Sequence, residues 1–382
     1  MKTQRQLTLL PVLALLILCL SCGEQSKGYE ITGNVADLAD GTKVILQNGE
    51  TGETIDSAFV QQNYFQFKGK LDEAPQLLSL LFSYKNEPLY TTLFIGNEAV
   101  EVKGNISDLP KNLVVTGSEH HVYKHRLDSL TADLDISRNK YLSDMFALRA
   151  NGAWNDSLQA AYWGENGHIT LIDLQTSQIQ NRFYSNNLES EYTLLQLVLN
   201  KAAIAPDTLR AFYNRLSPKY KDSKYSKVLA TYLAHPELEL KNQFYDFEAE
   251  DKSGTKVKLS ELIGDKYILL DFASPGCSWC KKALPSQKQI ATKFREQLKP
   301  VTFYVDKNKE EWVKHNRKED ITWASLWDKN GRHSDAYTKY RVAATPTYFL
   351  INRQGVIVGK WEGYQDKLEE EILQILHAQQ LN

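Results

Sequence analysis

The sequence has few cysteines, no surplus of charge of either sign, and no marked compositional bias. Its 382 residues include four cysteines, and 45 Lys and Arg balance 47 Asp and Glu. This balance argues against a nucleic-acid-binding protein, which usually carries a clear basic surplus. The composition also excludes extensive disorder and collagen-like repeats. At roughly 100–200 residues per domain, the length predicts two or three domains.

The most apolar run lies at the N-terminus and is too short to span a membrane. It covers residues 7–20, and Lys2 and Arg5 supply positive charge ahead of it. A spanning helix needs about 20 predominantly apolar residues, whereas a signal peptide has a shorter apolar segment behind a basic start. We therefore predict that residues 1–21 are a signal peptide.

The segment that follows, CLSCGEQ at residues 19–25, resembles a bacterial lipobox. In that pattern the signal peptide is removed in front of the second cysteine, here Cys22, which then carries the lipid. Cys19 stands where leucine is usual, and cleavage by an ordinary signal peptidase is the alternative. The resemblance implies a lipoprotein of the cell envelope that faces the periplasm or the cell surface and is held on the membrane through Cys22. Residues 22–28 would form the lipidated tether.

Residues 29–117 are predicted to form a β-rich domain. β-branched and aromatic residues recur in short runs, which are separated by turn signals such as QNGETGE at 47–53. This spacing is typical of an all-β, sandwich-like domain. No catalytic constellation occurs there, and the function of the domain is left open. The predicted strands cover residues 43–47, 64–71, 76–82, 89–96, 99–106 and 112–117.

Residues 118–240 have the pattern of a helical region, because apolar residues recur at intervals of three and four. Ser217 is predicted as an N-cap and Pro218 as the first residue of the helix that follows it. The predicted helices lie within residues 126–150, 191–203 and 216–235.

Three histidines, His120, His121 and His125, lie near the start of this region. His121 and His125 are four residues apart, which would place both on one face of a helix as half of a metal site. Two histidines without an acidic partner are an incomplete site. We interpret them as part of a solvated helix start and expect no metal.

The remaining residues, 241–382, alternate between predicted strands and helices. This alternation predicts an α/β domain whose sheet is covered on both faces. The predicted strands cover residues 267–273, 301–306, 347–351 and 356–361. One predicted helix begins at about Ser278, and two others cover residues 309–318 and 367–379.

Cys277 and Cys280 directly follow the first of these strands, and they are the two thiols left once the signal peptide is removed and Cys22 is lipidated. A structural zinc site would need two further ligands, and a disulfide that closes so small a loop adds little stability. A thiol at a helix N-terminus meets unpaired N–H groups and the positive end of the helix dipole, which favour the thiolate that attacks disulfides. The spacing therefore favours a redox-active dithiol, with Cys277 as the nucleophile and Cys280 as the resolving thiol.

Two segments around this dithiol resemble the thioredoxin family. LLDFASPGCSWCKKALP at 269–285 is similar to the active-site segment, and VAATPTYFLINRQGVIVGKWEGY at 342–364 is similar to the second half of the fold. The resemblance implies a thioredoxin fold for residues 241–382, with Pro346 as a cis-proline that faces the dithiol. Thr345 would then pair through its backbone with an extended substrate strand.

The same resemblance implies that Asp271 is the buried acid that helps to deprotonate the resolving cysteine. A purely local hydrogen-bonding role is the alternative. Trp279, next to the nucleophile, is expected to face substrate. The sequence resembles TlpA- and ResA-type exported thioredoxins. Ala283 stands where some of them carry a glutamate, so the resemblance does not imply a proton relay through that position. The β-rich region resembles a small domain that precedes thioredoxin domains in Bacteroidetes lipoproteins.

We therefore expect an exported, membrane-anchored thiol-disulfide oxidoreductase that acts on the thiols and disulfides of exported proteins and exchanges electrons with a redox partner. We expect no cofactor and no nucleic-acid partner. One alternative is a lipid-anchored binding or scaffold protein with an inactive thioredoxin domain. The other is a peroxiredoxin, whose P-x-x-x-[TS]-x-x-C pattern fails here because Leu270 stands in place of the proline.

Overall fold

The computed structural model of the protein describes residues 28–84, 87–109 and 113–378. The predicted signal peptide and Cys22 lie outside the described residues. Within these ranges, no helix is long and apolar enough to cross a membrane. The described chain forms a β domain, a helical part and an α/β domain, in that order, as the sequence predicted.

The β domain consists of two four-stranded sheets, with strand orders β4-β1-β7-β8 and β3-β2-β5-β6. β1 and β7 run parallel, and the other neighbours are antiparallel. The strands are β1 (Tyr29–Ala36), β2 (Lys43–Asn48), β3 (Thr54–Phe59), β4 (Tyr64–Gly69), β5 (Gln76–Tyr84), β6 (Glu87–Ile95), β7 (Ala99–Asn105) and β8 (Val114–Thr116).

One hydrophobic core lies between these two sheets. In β1, the alternate residues Ile31 and Val35 are buried, and in β2 Val44 and Leu46 are buried. Alternate residues of a strand share one face. Because side chains from both sheets belong to the same core, the predicted sandwich-like arrangement is confirmed.

The helical part packs against the β domain through Phe94 of β6, whose ring lies 5.3 Å from that of Tyr192. The predicted helix over residues 216–235 is in fact two helices. Ser217 and Pro218 start the first as predicted, but the Ser223 side chain accepts a hydrogen bond from the N–H of Ser226 and starts a second. The helices are α1 (His121–Ala150), α2 (Asp156–Trp163), α3 (His168–Asn186), α4 (Glu191–Leu199), α5 (Pro206–Arg215), α6 (Pro218–Lys221) and α7 (Lys224–Ala234).

His121 and His125, which were interpreted as part of a solvated helix start, have different surroundings. His121 is buried, and its Nδ1 accepts a hydrogen bond from the N–H of Phe94, whereas His125 is exposed. Burial, with the nearby positive Lys124 and His125, lowers the pKa of His121 to about 3. His121 is thus a neutral core residue that links α1 to β6, and the interpretation of all three histidines as solvated was wrong for this one.

The α/β domain is built on a seven-stranded sheet of order β10-β9-β13-β12-β11-β14-β15. β11 pairs in parallel with β12 and antiparallel with β14, and every residue of β11 is buried. Its strands are β9 (Glu248–Glu250), β10 (Lys256–Lys258), β11 (Tyr267–Ala273), β12 (Leu298–Tyr304), β13 (Ala324–Trp327), β14 (Thr347–Ile351) and β15 (Ile357–Glu362). Its helices are α8 (Leu259–Leu262), α9 (Ser278–Lys293), α10 (Lys309–Lys318), α11 (Asp335–Lys339) and α12 (Leu368–Ala378).

Both faces of this sheet are covered, as predicted. Ile268, Leu270 and Phe272 of β11 pack into one hydrophobic core, and the intervening Leu269 packs into another that includes residues of α9 and α12. Because β11 is buried on both faces, packing fixes where the strand ends and in which direction the chain leaves it. The residues that follow β11 are therefore held in place by the core of the domain.

Candidate active site

Cys277 lies at the N-terminus of α9, four residues after the end of β11. It is the N-cap residue of this helix, and its Sγ accepts a hydrogen bond from the backbone N–H of Cys280 across 3.1 Å. The carbonyl of Ser274 accepts a hydrogen bond from the N–H of Cys277 and fixes the short loop. The first N–H groups of a helix lack partners within the helix and carry partial positive charge. The Cys277 sulfur thus lies where negative charge is stabilised.

The two thiols have opposite electrostatic environments. Burial acts to raise the pKa of the Cys277 thiol, but hydrogen bonds from Cys280, Thr345 and Trp279 outweigh it and hold that pKa below the ordinary value. Cys280 is buried, and burial raises the pKa of its thiol, as do its hydrogen bond with Cys277 and the nearby charge of Asp271. The half-buried Cys277 thiol thus has a lowered pKa, whereas the buried Cys280 thiol has a raised one.

The loop before β14 brings Thr345 and Pro346 against the Cys277 sulfur. The peptide bond between them is cis, which confirms the prediction. The carbonyl oxygen of Thr345 lies 3.3 Å from Sγ of Cys277. The N–H of Gly363 donates to the carbonyl of Pro346 across 2.8 Å and ties this loop to the end of β15.

Asp271 lies on β11, with 4% of its surface exposed. Burial raises the pKa of its carboxyl to about 7, although the side chains of Gln287 and Thr302 lower it in part. Its Oδ2 accepts a hydrogen bond from Nε2 of Gln287, whereas Oδ1 has no hydrogen-bond partner among the described residues. Asp271 is thus a carboxyl that can change its charge near neutral pH, close enough to Cys280 to influence the pKa of that thiol.

Gln287 was not identified from the sequence. It lies on the buried face of α9, and its Nε2 donates to both Asp271 and the hydroxyl of Tyr348, each across 3.0 Å. Gln287 follows Cys280 by seven residues, which is two helical turns. A polar residue at that spacing, on a face that otherwise carries the apolar Leu284 and Ile290, was the signal that could have found it.

Trp279 is 55% exposed and lies beside the nucleophile, where the sequence placed it. Its ring stacks on that of Tyr364, with centroids 5.9 Å apart. The ammonium of Lys282 lies 4.1 Å from the Tyr364 ring and 5.2 Å from the Trp279 ring. We call these three residues the aromatic platform. An exposed platform of this kind is an apolar contact surface, and the sequence analysis missed Tyr364 and Lys282 as members of it.

Two parts of the chain match known protein families. Residues 240–360 match the sequence profile of the AhpC/TSA family, and residues 29–122 match a domain of unknown function, DUF4369. The thiol-disulfide oxidoreductase ResA of Bacillus thuringiensis is 26% identical over 141 residues, which make up 36% of this chain and 79% of that protein. The thiol-disulfide oxidoreductase YkuV of Bacillus subtilis is 28% identical over 105 residues, which make up 26% of this chain and 69% of that protein.

A solved structure is also similar to part of this chain. The thioredoxin domain of a thiol-disulfide oxidoreductase from Bacteroides vulgatus is 25% identical, and the match covers 36% of this chain and 97% of that chain, with a TM-score of 0.34.

The C-terminal part of the chain is therefore a thioredoxin-like domain, and the protein is a thiol-disulfide oxidoreductase. Within that class, it joins a thioredoxin-like domain of the AhpC/TSA family to an N-terminal DUF4369 domain.

Proposed function

We propose that the protein is an exported, membrane-anchored oxidoreductase that exchanges disulfides with exported proteins through Cys277 and Cys280. The environment of the Cys277 sulfur carries the proposal. This sulfur accepts a hydrogen bond from the N–H of Cys280 at the start of α9, and the pKa of the Cys277 thiol is lowered. The thiolate is the form of cysteine that attacks a disulfide. In the proposed cycle, Cys277 is the nucleophile and Cys280 resolves the intermediate.

The reaction balances as two successive exchanges. The Cys277 thiolate forms a bond with one sulfur of the substrate disulfide, and the other substrate sulfur leaves as a thiolate that takes up a proton. Cys280 then loses its proton and attacks Cys277, so that the second substrate sulfur leaves and is protonated in turn. Two electrons pass from the protein dithiol to the substrate, and a second dithiol–disulfide partner returns the protein to its reduced form.

Asp271 is the proposed proton acceptor for Cys280 in the second exchange. The buried thiol of Cys280 has a raised pKa and needs a base close by. A carboxyl whose pKa is about 7 can take that proton near neutral pH and return it in the next cycle. The unpartnered Oδ1 supports this role, because it leaves one carboxyl oxygen available to the proton.

Thr345, Pro346 and Trp279 are the proposed substrate contacts. The backbone of Thr345 lies against the reactive sulfur, where an extended segment of the substrate would pair with it. The exposed ring of Trp279 offers apolar contact area on the other side of the nucleophile. Together they would hold the substrate disulfide in front of Cys277.

Export and anchoring are proposed from the N-terminal sequence. The apolar run at 7–20 and the lipobox-like residues around Cys22 support a lipoprotein signal. The lipid on Cys22 would hold the protein on a membrane of the cell envelope, where oxidised substrate proteins occur. No cofactor, metal or nucleic acid enters the proposed reaction.

The test is to trap the intermediate in cells. Cys280→Ala, expressed with its native signal, should accumulate mixed disulfides with exported proteins, because no second thiol remains to resolve them. Cys277→Ala is the matched control and should trap few or none, since the remaining thiol is buried and has a raised pKa. The adducts are read on non-reducing gels and should disappear on addition of reductant.

The result also separates a catalyst from a scaffold. A folded and anchored Cys280→Ala protein that forms no reducible adducts would contradict the oxidoreductase mechanism proposed for this dithiol. Equal trapping by both variants would contradict the assignment of Cys277 as the nucleophile.

A further inference from the structure

A cavity of about 550 Å³ lies where the three parts of the chain meet. The β domain contributes Glu50 and Leu77, the helical part Val198 and Lys201, and the thioredoxin-like domain Lys307 and Arg332. Ligand sites are common between domains, and their volumes are typically about 300–1,000 Å³. We call this space the junction cavity.

The walls of the junction cavity are held by contacts between the parts. Glu50, in the turn after β2, accepts a hydrogen bond from the hydroxyl of Tyr225 on α7 across 3.1 Å. The other carboxyl oxygen of Glu50 lies 3.3 Å from Nε2 of His333. These three residues come from three different parts of the chain. The side-chain amide of Asn308 also donates to Glu53 across 3.0 Å. The cavity is therefore a property of the whole assembly and not of one domain.

The charge of the cavity is mainly positive. Four lysine and arginine side chains line it, and two of them already donate hydrogen bonds to backbone carbonyls. Lys201 donates to the carbonyl of Val198, and Arg341 donates to the carbonyls of Tyr232 and His235.

The other two cations, Lys307 and Arg332, make no hydrogen bond or ion pair with any residue in the described ranges. The cavity has two carboxylates, and Glu50 is already bonded to Tyr225. The other is Asp306, whose pKa is raised by burial and lowered by the nearby charge of Arg332. Four cations face two carboxylates, so the cavity has a surplus of positive charge that can bind an anion.

The junction cavity lies close to the loops that flank the dithiol. Asp306 lies on its wall just after β12, and the N–H of the preceding Val305 donates to the carbonyl of Ala273, at the end of β11. Ala343 also lines the cavity and is two residues before Thr345, a span of at most about 7 Å. A polypeptide that lies along Thr345 with its disulfide at Cys277 would reach the cavity within a few residues.

We propose that the junction cavity binds an acidic segment of the substrate polypeptide, next to the disulfide that Cys277 attacks. This proposal rests on the proposed function and adds the class of substrate. Lys307 and Arg332 supply the complementary charge, and Leu77 and Val198 supply an apolar wall. A polypeptide fits better than a free anion, because the cavity continues into the loop that contacts the reactive sulfur. The β domain and the helical part then have a role, which is to complete a substrate site that the thioredoxin-like domain lacks.

The test compares two peptides in single turnovers of the reduced full-length protein. Both contain the same intramolecular disulfide, which is flanked by Asp and Glu in one and by Asn and Gln in the other. The acidic peptide should have the lower half-saturating concentration and a similar maximal rate. Lys307→Ala and Arg332→Ala should each lower the apparent second-order rate constant for the acidic peptide roughly tenfold, which corresponds to the loss of one charged hydrogen bond. In both variants, the rate constant for the neutral peptide should stay within about twofold of the wild-type value, as expected for the loss of a solvent-exposed contact.

Two further variants test whether charge in the cavity is responsible. Arg332→Lys keeps the charge and should retain the preference for the acidic peptide. Arg317→Ala removes an exposed arginine from α10, outside the junction cavity, and should leave the preference unchanged. A loss of preference in Arg317→Ala equal to that in Arg332→Ala would overturn the assignment to the cavity.

The remaining outcomes separate this proposal from the proposed function. Bis(2-hydroxyethyl) disulfide is uncharged, and its reduction reports only on the dithiol. If the small disulfide is reduced but the two peptides react equally, the acidic-segment proposal is wrong and the proposed function stands. If neither it nor any peptide is reduced, the proposed function fails. If free succinate abolishes the preference as effectively as an acidic peptide without a disulfide does, the cavity is a small-anion site and the polypeptide assignment is wrong.

Discussion

Gln287 and Asp271 are joined by a hydrogen bond of 3.0 Å between the side-chain amide and Oδ2 of the carboxyl, in the layer between α9 and β11. The same amide nitrogen donates to Tyr348, so both of its hydrogens are used. The other carboxyl oxygen, Oδ1, has no partner among the described residues. A buried carboxylate oxygen without a partner is costly while charged, which agrees with the raised pKa of Asp271. Three predictions concern this acid and the nearby nucleophile.

Asp271 should lower the stability of the folded protein at neutral and alkaline pH. Below about pH 4 the carboxyl is protonated in both the folded and the unfolded chain. As the pH rises to about 7, only the unfolded chain ionises, so stability falls across this window and the loss is complete above the folded pKa. At about 1.4 kcal/mol per pH unit, the full loss is on the order of 4 kcal/mol.

Asp271→Asn should therefore raise the free energy of unfolding by about 2–4 kcal/mol above pH 7 and change it little near pH 4. Denaturant unfolding of the full chain, followed by tryptophan fluorescence, measures the free energy of unfolding at both pH values. Asp265→Asn, at an exposed position just before β11, is the control and should show no such difference. Equal effects of Asp271→Asn at the two pH values would contradict the raised pKa.

The same substitution should slow the resolving step. If Asp271 accepts the proton of Cys280, Asp271→Asn should lower the rate of resolution by about 100-fold or more above pH 7, as is usual for loss of a general base. Decay of a preformed mixed disulfide, followed by acid quenching and mass spectrometry, gives this rate. The wild-type rate should rise as the pH passes through about 7. Gln287→Leu removes a hydrogen bond that lowers the pKa of Asp271, so it should move this rise to higher pH.

Thr345 should help to keep Cys277 ionised. Its side chain hydrogen-bonds the sulfur and lowers the pKa of the Cys277 thiol. Thr345→Val should raise that pKa and slow alkylation of Cys277 at neutral pH by roughly three- to tenfold, because a hydrogen bond to a charged group is lost. Thr292→Val, at an exposed position of α9, is the control. Alkylation by iodoacetamide, with each cysteine quantified by peptide mapping, should also modify Cys277 before Cys280 in the wild type.

The elements around the dithiol could be predicted because their signals are local. The run of apolar residues in β11 and the start of α9 at Ser278 follow from short stretches of sequence, and α10 and β14 agree with their predicted ranges. Cys277 and Cys280 are close in sequence, so their proximity needs no knowledge of the fold. Burial of Asp271 could also be expected, since it lies within that apolar strand.

Other elements were missed because their signals are weak. The buried residues of the long helix α3 are Ile169, Phe183 and Tyr184, which lie towards its two ends, so the helix has no continuous buried face. The break between α6 and α7 depends on the capping hydrogen bond of Ser223, and a serine by itself does not predict a break. The burial of His121 depends on its contact with Phe94, on a strand of another domain.

Contacts between distant segments account for what remains. Tyr364 reaches Trp279 only because β14 and β15 pair beside β11 and their loops meet at one end of the sheet. The junction cavity joins Glu50, Lys201 and Arg332, which lie in three parts of the chain. No spacing in the sequence relates these residues, so their proximity requires the tertiary structure.

Anchoring through Cys22 predicts a change of location. Cys22→Ala should abolish acylation, because the thioether that carries the lipid cannot form. The protein should then leave the membrane fraction, since the lipid that is proposed to hold it there is missing. Labelling with a palmitate analogue, followed by membrane fractionation, measures both effects. Ser21→Ala keeps a small residue before the cysteine and is the control. Palmitate labelling that persists in Cys22→Ala would contradict the lipobox assignment.

The aromatic platform should matter for protein substrates and not for small ones. Trp279 is exposed beside the nucleophile and stacks on Tyr364, so a folded partner that approaches Cys277 would cover both rings. Tryptophan and tyrosine are enriched among the interface residues whose removal costs more than about 1 kcal/mol, so we expect Trp279→Ala to lower the rate constant with a protein disulfide roughly tenfold. Bis(2-hydroxyethyl) disulfide is too small to reach the platform and should react at the wild-type rate.

Two controls complete this comparison. Tyr364→Ala should weaken the reaction with the protein disulfide in the same direction as Trp279→Ala. Tyr90→Ala removes another exposed aromatic ring, on β6 of the β domain, and should leave both reactions unchanged. If Trp279→Ala slowed the small disulfide as much as the protein disulfide, its effect would lie in the chemistry of Cys277, whose thiolate accepts a hydrogen bond from the Trp279 backbone, and not in substrate contact.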